Sequence, residues 1–189
     1  MKVDFYGGAI TTVLAEKCFD VSEFRLVPDN QECWTEDISS TPIALICEIL
    51  EYKSNLTAQD SGPFFFEDLA TLNGAQSPDR REVFSTSVTT AGTTSPQLPP
   101  EVEISLICGE QIVDRRRDGA VTEKVRMWVA NIRLPQKETD ILITVTLPYE
   151  KDPSTQVVKN LTEANGAKAE AFFQTVLREF NILNWGLFG

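Results

Sequence analysis

Asp29 and Glu32 stand three residues apart in the string VPDNQE, Val27–Glu32. Two neighbouring carboxylates can do three kinds of work. They can act as a general acid and base, which requires an apolar pocket to hold one of them protonated. They can help bind calcium, but a calcium ion takes about six to eight oxygens, and one Asp with one Glu falls well short. They can pair with basic side chains of a partner protein. A fourth reading involves no chemistry: Asp29 before Asn30 is a good turn former after Pro28. The chain contains no histidine, so the commonest general base and metal ligand is absent. No phosphate-binding glycine loop and no paired-cysteine metal motif is present. Cys18, Cys33, Cys47 and Cys108 follow no disulfide or metal spacing and are expected to be free thiols.

The net charge of −11 argues against nucleic acid and anionic membrane as partners. It is unevenly spread: residues 1–68 hold 13 acidic and 4 basic side chains, against 15 and 13 in residues 69–189. The first third is therefore either a solvated acidic surface or a docking face for a basic protein. The 189 residues suit one domain, 1–189, and no apolar run reaches the roughly 20 residues needed to span a bilayer. The start, MKVDFYGG, has no secretory or transit pattern.

The elements that must position the carboxylates follow from periodicity. Val3–Tyr6 and Ala9–Leu14 read as strands around the Gly7-Gly8 turn. Asp20 caps a short helical turn, with Glu23 in capping-box position, and Gln31–Thr35 opens a strand. The run from Ile43 to Leu50 fits either a strand covered on both faces or a helix, and the preceding Pro42 and the β-branched residues favour the strand. Phe64–Asn73 reads as a helix stopped by Gly74. The Ser/Thr/Pro-rich stretch 85–100 reads as a mobile loop. Val102–Val113, Glu123–Leu134 and Ile141–Leu147 read as strands, the last two antiparallel because PQKET is too short for a crossover. Ala169, Phe172, Phe173, Val176, Leu177 and Phe180 mark one face of an amphipathic helix. The expected fold is α+β, an α/β/α sandwich with a mostly antiparallel, twisted sheet of about six strands flanked by helices.

Four strings, YGGAITTVL (6–14), DVSEFRLVPDNQE (20–32), FEDLATLNG (66–74) and LPQKETDILITVTLP (134–148), together resemble the Ran guanine nucleotide release factor family, the Mog-type proteins, which share a PsbP-like fold. The resemblance implies binding to the small GTPase Ran with its GTP form preferred, promotion of guanine nucleotide release, and a role in nucleocytoplasmic transport in nucleus and cytoplasm. It implies a regulator rather than an enzyme, a monomer with no cofactor or metal. The family's Ran-binding acidic pair maps to Asp29 and Glu32. Their neighbours Pro28, Asn30, Gln31, Arg25 and Trp34 join them, with Glu23, Glu36, Asp37, Glu67 and Asp68 as further candidates for the same face. The alternative is a hydrolytic or small-molecule-binding domain on the same fold, which would show a deep apolar pocket with convergent polar groups.

Overall fold

A computed structural model describes residues 1–36, 42–115, 121–151 and 163–189. Its centre is a seven-stranded antiparallel sheet. In spatial order the strands are β3 (Cys18–Asp20), β4 (Gln31–Glu36), β5 (Ala44–Glu51), β9 (Thr139–Lys151), β8 (Val121–Leu134), β7 (Glu103–Arg115) and β6 (Arg81–Thr90). A second sheet joins β1 (Lys2–Phe5), β2 (Ile10–Val13) and β10 (Asn181–Ile182). Helices α1 (Ala58–Leu72) and α3 (Glu163–Arg178) pack against the large sheet, and α2 (Ala91–Thr94) is a single turn. The α+β architecture is the expected one, with a seventh strand and a small extra sheet.

The alternation along β8 explains the layers. Trp128, Ala130, Ile132 and Leu134 face a core shared with Ala169, Phe173, Val176, Leu177 and Phe180 from α3 and its C-terminal end, and with Phe5 and Ile10 of the small sheet. Val125, Met127 and Val129 face the opposite core, where Phe65 and Phe66 of α1 are buried. A strand apolar on both faces needs cover on both, and α1 and α3 supply it.

Helix α1 begins six residues before the expected Phe64. Thr57 caps it, accepting from the Asp60 N–H at 3.3 Å and donating to Asp60 Oδ2 at 2.6 Å. Gly62-Pro63 looks like a stop, yet the helix runs through it. An interior proline costs about 3 kcal/mol. Burying Phe65 and Phe66 returns about 1.5–3 kcal/mol each, enough to offset it. The far end matches the sequence: Gly74 has φ 71°, its N–H reaches Thr71 O, and the Ala75 N–H reaches Ala70 O at 2.7 Å, a Schellman cap.

Stretch 85–100 is corrected. Residues 85–90 are the second half of β6, which pairs with β7 from Arg81↔Gln111 to Thr90↔Glu103 with one register shift between Val83 and Ser85. The chain then turns through α2, burying Ala91 and Leu98. As an outer strand that is largely exposed on both faces, β6 needs no apolar alternation, so its Ser/Thr content mimics a loop.

A buried ionic network fixes the link from β5 to α1. Asp140 and Arg133 pair at 3.2 Å, both almost fully buried. Asp140 also accepts from Asn131 Nδ2 at 3.1 Å and the Lys53 N–H at 2.9 Å. Arg133 donates to Leu56 O at 2.5 Å and Lys53 O at 2.7 Å. Asp140 and Arg133 each have further backbone or side-chain partners, while the buried Asn131 Oδ1 is left without one; a paired and hydrogen-bonded charge of this kind holds a segment in place.

Candidate functional site

The segment between β3 and β4 is built by local hydrogen bonds. Asp20 Oδ1 accepts from the Ser22 N–H at 2.8 Å and starts a 3-10 turn over Val21–Glu23. Glu23 is exposed, and the cap is completed by Ser22 instead of the expected capping box. The N–H groups of Phe24 and Arg25 both reach Val21 O, and the Arg25 guanidinium rests on the buried Cys33 Sγ at 3.9 Å. Pro28 O accepts from the Gln31 N–H at 2.9 Å, closing the turn that presents Asp29 to solvent. Asn30 ties this turn to β5: its carbonyl accepts from the Ile49 N–H at 2.9 Å, and its Nδ2 donates to Ile49 O at 3.3 Å.

Glu32 does not share the exposure of Asp29. It is half-buried in β4, opposite Cys47, and its Oε1 accepts from the Tyr6 N–H at 2.5 Å. Tyr6 sits at φ 51°, a left-handed conformation that costs a non-glycine residue about 1–3 kcal/mol. With Gly7 (φ 63°) and Gly8 (φ 89°) it makes the β1–β2 turn. Its hydroxyl, with one proton to share, lies within hydrogen-bond distance of two carbonyls, Cys47 O at 2.8 Å and Asn30 O at 3.0 Å. Tyr6 is therefore a strut from the small sheet to the turn that carries Asp29, and Glu32 holds the strut. Burial pushes the Glu32 carboxyl above its ordinary value, the Tyr6 N–H draws it back, and the Asp20 charge adds to the rise. Burial also drives the Tyr6 phenol upward, so it remains a donor. The two carboxylates of the expected pair thus sit differently: Asp29 is exposed on the turn, and Glu32 is half-buried and accepts from the Tyr6 N–H.

The period of two along β4 separates the remaining candidates. Glu32, Trp34 and Glu36 point toward the small sheet and α3. Trp34 packs on Phe5 with ring centroids 6.1 Å apart, and the buried Glu36 pairs with Lys168 of α3 at 2.8 Å. Gln31 faces the other way and donates to Glu48 Oε1 at 2.5 Å. Glu48 is raised by burial, lowered by Gln31 and raised by the charge of Asp68, so α1 adds negative charge to this face. Glu67 is exposed but paired with Arg81 at 2.6 Å. Asp37 lies outside the described residues. The turn thus brings together Glu23, Arg25, Pro28, Asp29 and Asn30 on one exposed segment, while Trp34, Glu36 and Glu67 hold internal contacts.

The sequence matches the family model for the Ran-interacting Mog1 protein over residues 3–148. The chain belongs to this family. A Ran guanine nucleotide release factor of Danio rerio is 32% identical, covering 100% of both chains. Its human counterpart of the same name is 28% identical over 97% of this chain and 94% of its own. The nuclear import protein Mog1 of Saccharomyces cerevisiae is 28% identical over 99% of this chain and 84% of its own. The crystal structure of the Saccharomyces cerevisiae Ran-binding protein Mog1p superposes with a TM-score of 0.73 at 26% identity, covering 100% of this chain and 98% of that one.

For a Mog1-family chain, two features of the site escape sequence reasoning. Tyr6 is one: its partners are 24 to 41 residues away, and only the following Gly-Gly hints at an unusual turn. Phe24 and Leu26 are the other, 75% and 100% exposed in the loop beside Asp29. One shallow hollow of about 350 Å³ is lined by the candidates Glu67 and Asp68 with Phe64, Thr71, Gln76 and Arg81; two other cavities lie away from the candidate residues. A groove of about 700 Å³ runs between Cys108, Arg126 and Trp128 of the sheet and Glu170 and Phe173 of α3, and a smaller one of about 250 Å³ lies by Pro135 and Trp185. None of their lining residues falls in 20–36. Among the described residues, no three Cys, Asp or Glu side chains are grouped to hold a metal ion, and no helix is long and apolar enough to cross a membrane.

Proposed function

We propose that this protein binds the GTPase Ran, favours its GTP-loaded form and promotes guanine nucleotide release, acting in nuclear import between nucleus and cytoplasm. The observation that carries this reading is the acidic turn at Asp29, exposed yet fixed by Asn30, Tyr6 and Pro28. A rigid carboxylate on the most acidic third of the chain is suited to a basic protein surface, because little ordering is needed on docking. The names of the relatives that span the whole chain point to Ran as that surface.

The mode of action is that of a binding regulator, working as a monomer without covalent chemistry. A GTPase holds its nucleotide through a lysine, backbone N–H groups and magnesium. A carboxylate such as Asp29 offers basic groups around that site an alternative partner once the phosphates leave. Linkage then fixes the outcome: each 1.4 kcal/mol of preference for the emptied GTPase weakens nucleotide by about tenfold. The test is the off-rate of a fluorescent GTP analogue from Ran with and without this protein, alongside capture by GTP-loaded, GDP-loaded and nucleotide-free Ran. Acceleration together with salt-sensitive capture is the expected result. An unchanged off-rate with equal affinity for all three states would leave only a passive binder, and no capture would remove the reading.

A further inference from the structure

Three large apolar side chains lie exposed within eight residues: Phe19 at 41%, Phe24 at 75% and Leu26 at 100%. Single exposed hydrophobics are ordinary on a protein surface, but a cluster beside a candidate interface is informative. Phe24 and Leu26 give the core almost nothing. The loop that carries them is fixed without them, by the Asp20 cap, the two bonds to Val21 O, the contact of Arg25 with Cys33 and the closed turn at Pro28. The fold therefore holds two apolar side chains in water on a preorganised loop. Asp20, Glu23 and Asp29 surround them in sequence, with Arg25 the sole basic residue between Asp20 and Glu32.

We infer that Phe24 and Leu26 are the apolar anchors of the Ran interface, set within the acidic rim that ends at Asp29; the inference rests on the Ran reading above. Protein interfaces concentrate their energy in a few apolar or aromatic anchors that enter pockets on the partner, with charged residues at the rim steering approach. The arrangement assigns different tasks to neighbouring residues: Asp29 sets encounter rate and salt dependence, while Phe24 and Leu26 set residence time. An anionic membrane is a poor occupant for the same loop, because the surrounding carboxylates repel it. The complementary surface on Ran would be an apolar hollow bordered by basic side chains.

The experiment compares wild type, the double variant Phe24→Ser with Leu26→Ser, and the conservative pair Phe24→Leu with Leu26→Met, against immobilised GTP-loaded Ran at low and moderate salt. Thermal unfolding and sedimentation of each protein alone are measured in parallel. The serine variant should lose at least about tenfold in affinity, mainly through faster dissociation, with an unchanged melting temperature and an unchanged salt slope. The conservative pair should bind within about threefold of wild type, a loss of about 0.65 kcal/mol. If wild type binds Ran and the serine variant binds equally well, the anchors are refuted and the Ran reading stands. If wild type fails to bind, the Ran reading falls and the anchor assignment falls with it. A melting temperature that drops with affinity, or a change in self-association in place of Ran binding, would also overturn the inference.

Discussion

Replacing Glu32 separates its internal task from a surface one. Glu32→Lys removes a carboxylate that accepts from the Tyr6 N–H at 2.5 Å and places an ammonium against that donor. A hydrogen bond to a charged group contributes about 1.5–3 kcal/mol, and leaving the donor unpaired adds to the loss. The left-handed Tyr6 carries about 1–3 kcal/mol of strain, and any relaxation once the clamp is gone offsets part of this loss. The expected loss is about 2–4 kcal/mol, which for a domain of this size lowers the melting temperature by roughly 4–16 °C. Glu32→Gln keeps an acceptor oxygen and should stay within about 1 kcal/mol of wild type. The pH dependence has a definite sign. Folding raises the Glu32 and Glu48 carboxyls above their ordinary values, so the native state binds protons more readily than the unfolded chain. For both groups ionisation is less favourable in the native state than in the unfolded chain, so stability rises as pH falls through their raised native values toward the ordinary carboxylate value of about 4.3. Glu32→Gln should flatten that rise. Chemical denaturation of the three proteins across this pH range is the assay. A Glu32→Lys protein as stable as wild type would refute the clamp, as would an unaltered pH slope in Glu32→Gln.

Asp140→Asn weakens the buried network around Arg133, and Asp140→Ala breaks it; the alanine variant should lose about 3–5 kcal/mol in urea unfolding. Phe66→Ala empties the core under α1 and should cost about 3–5 kcal/mol, with the unfolding slope unchanged. Native-state thiol labelling should modify the half-exposed Cys108 before Cys18, Cys33 and Cys47, all three buried, with burial pushing the Cys18 thiol up to about 11; all four should react after denaturation without reductant. Asp29→Lys should leave the melting temperature within about 1 °C and reduce Ran capture most at low salt, because the side chain is exposed and makes its contribution through long-range charge.

What the sequence determined by itself is whatever repeats locally. The two apolar faces of Glu123–Leu134 predict a covered central strand, because side chains alternate with a period of two whatever the partner. The stripe from Ala169 to Phe180 predicts the helix that covers it, and Gly74 predicts a stop, because an αL residue there suits glycine. The four strings 6–14, 20–32, 66–74 and 134–148, taken together and in order, carry the family resemblance. Tertiary structure decided the rest. Gln31 and Glu32 are neighbours in the string and face opposite sides of the sheet, each engaged by a residue distant in sequence, Glu48 for one and Tyr6 for the other. Nothing local marks Glu32 as a clamp and Asp29 as free, since both are acidic residues near a turn. β6 carries no alternation because an outer strand exposed on both faces buries little, so only its register with β7 identifies it. Pro63 stays inside α1 because two phenylalanines beyond it are buried, a gain that exists only once the sheet is present to receive them.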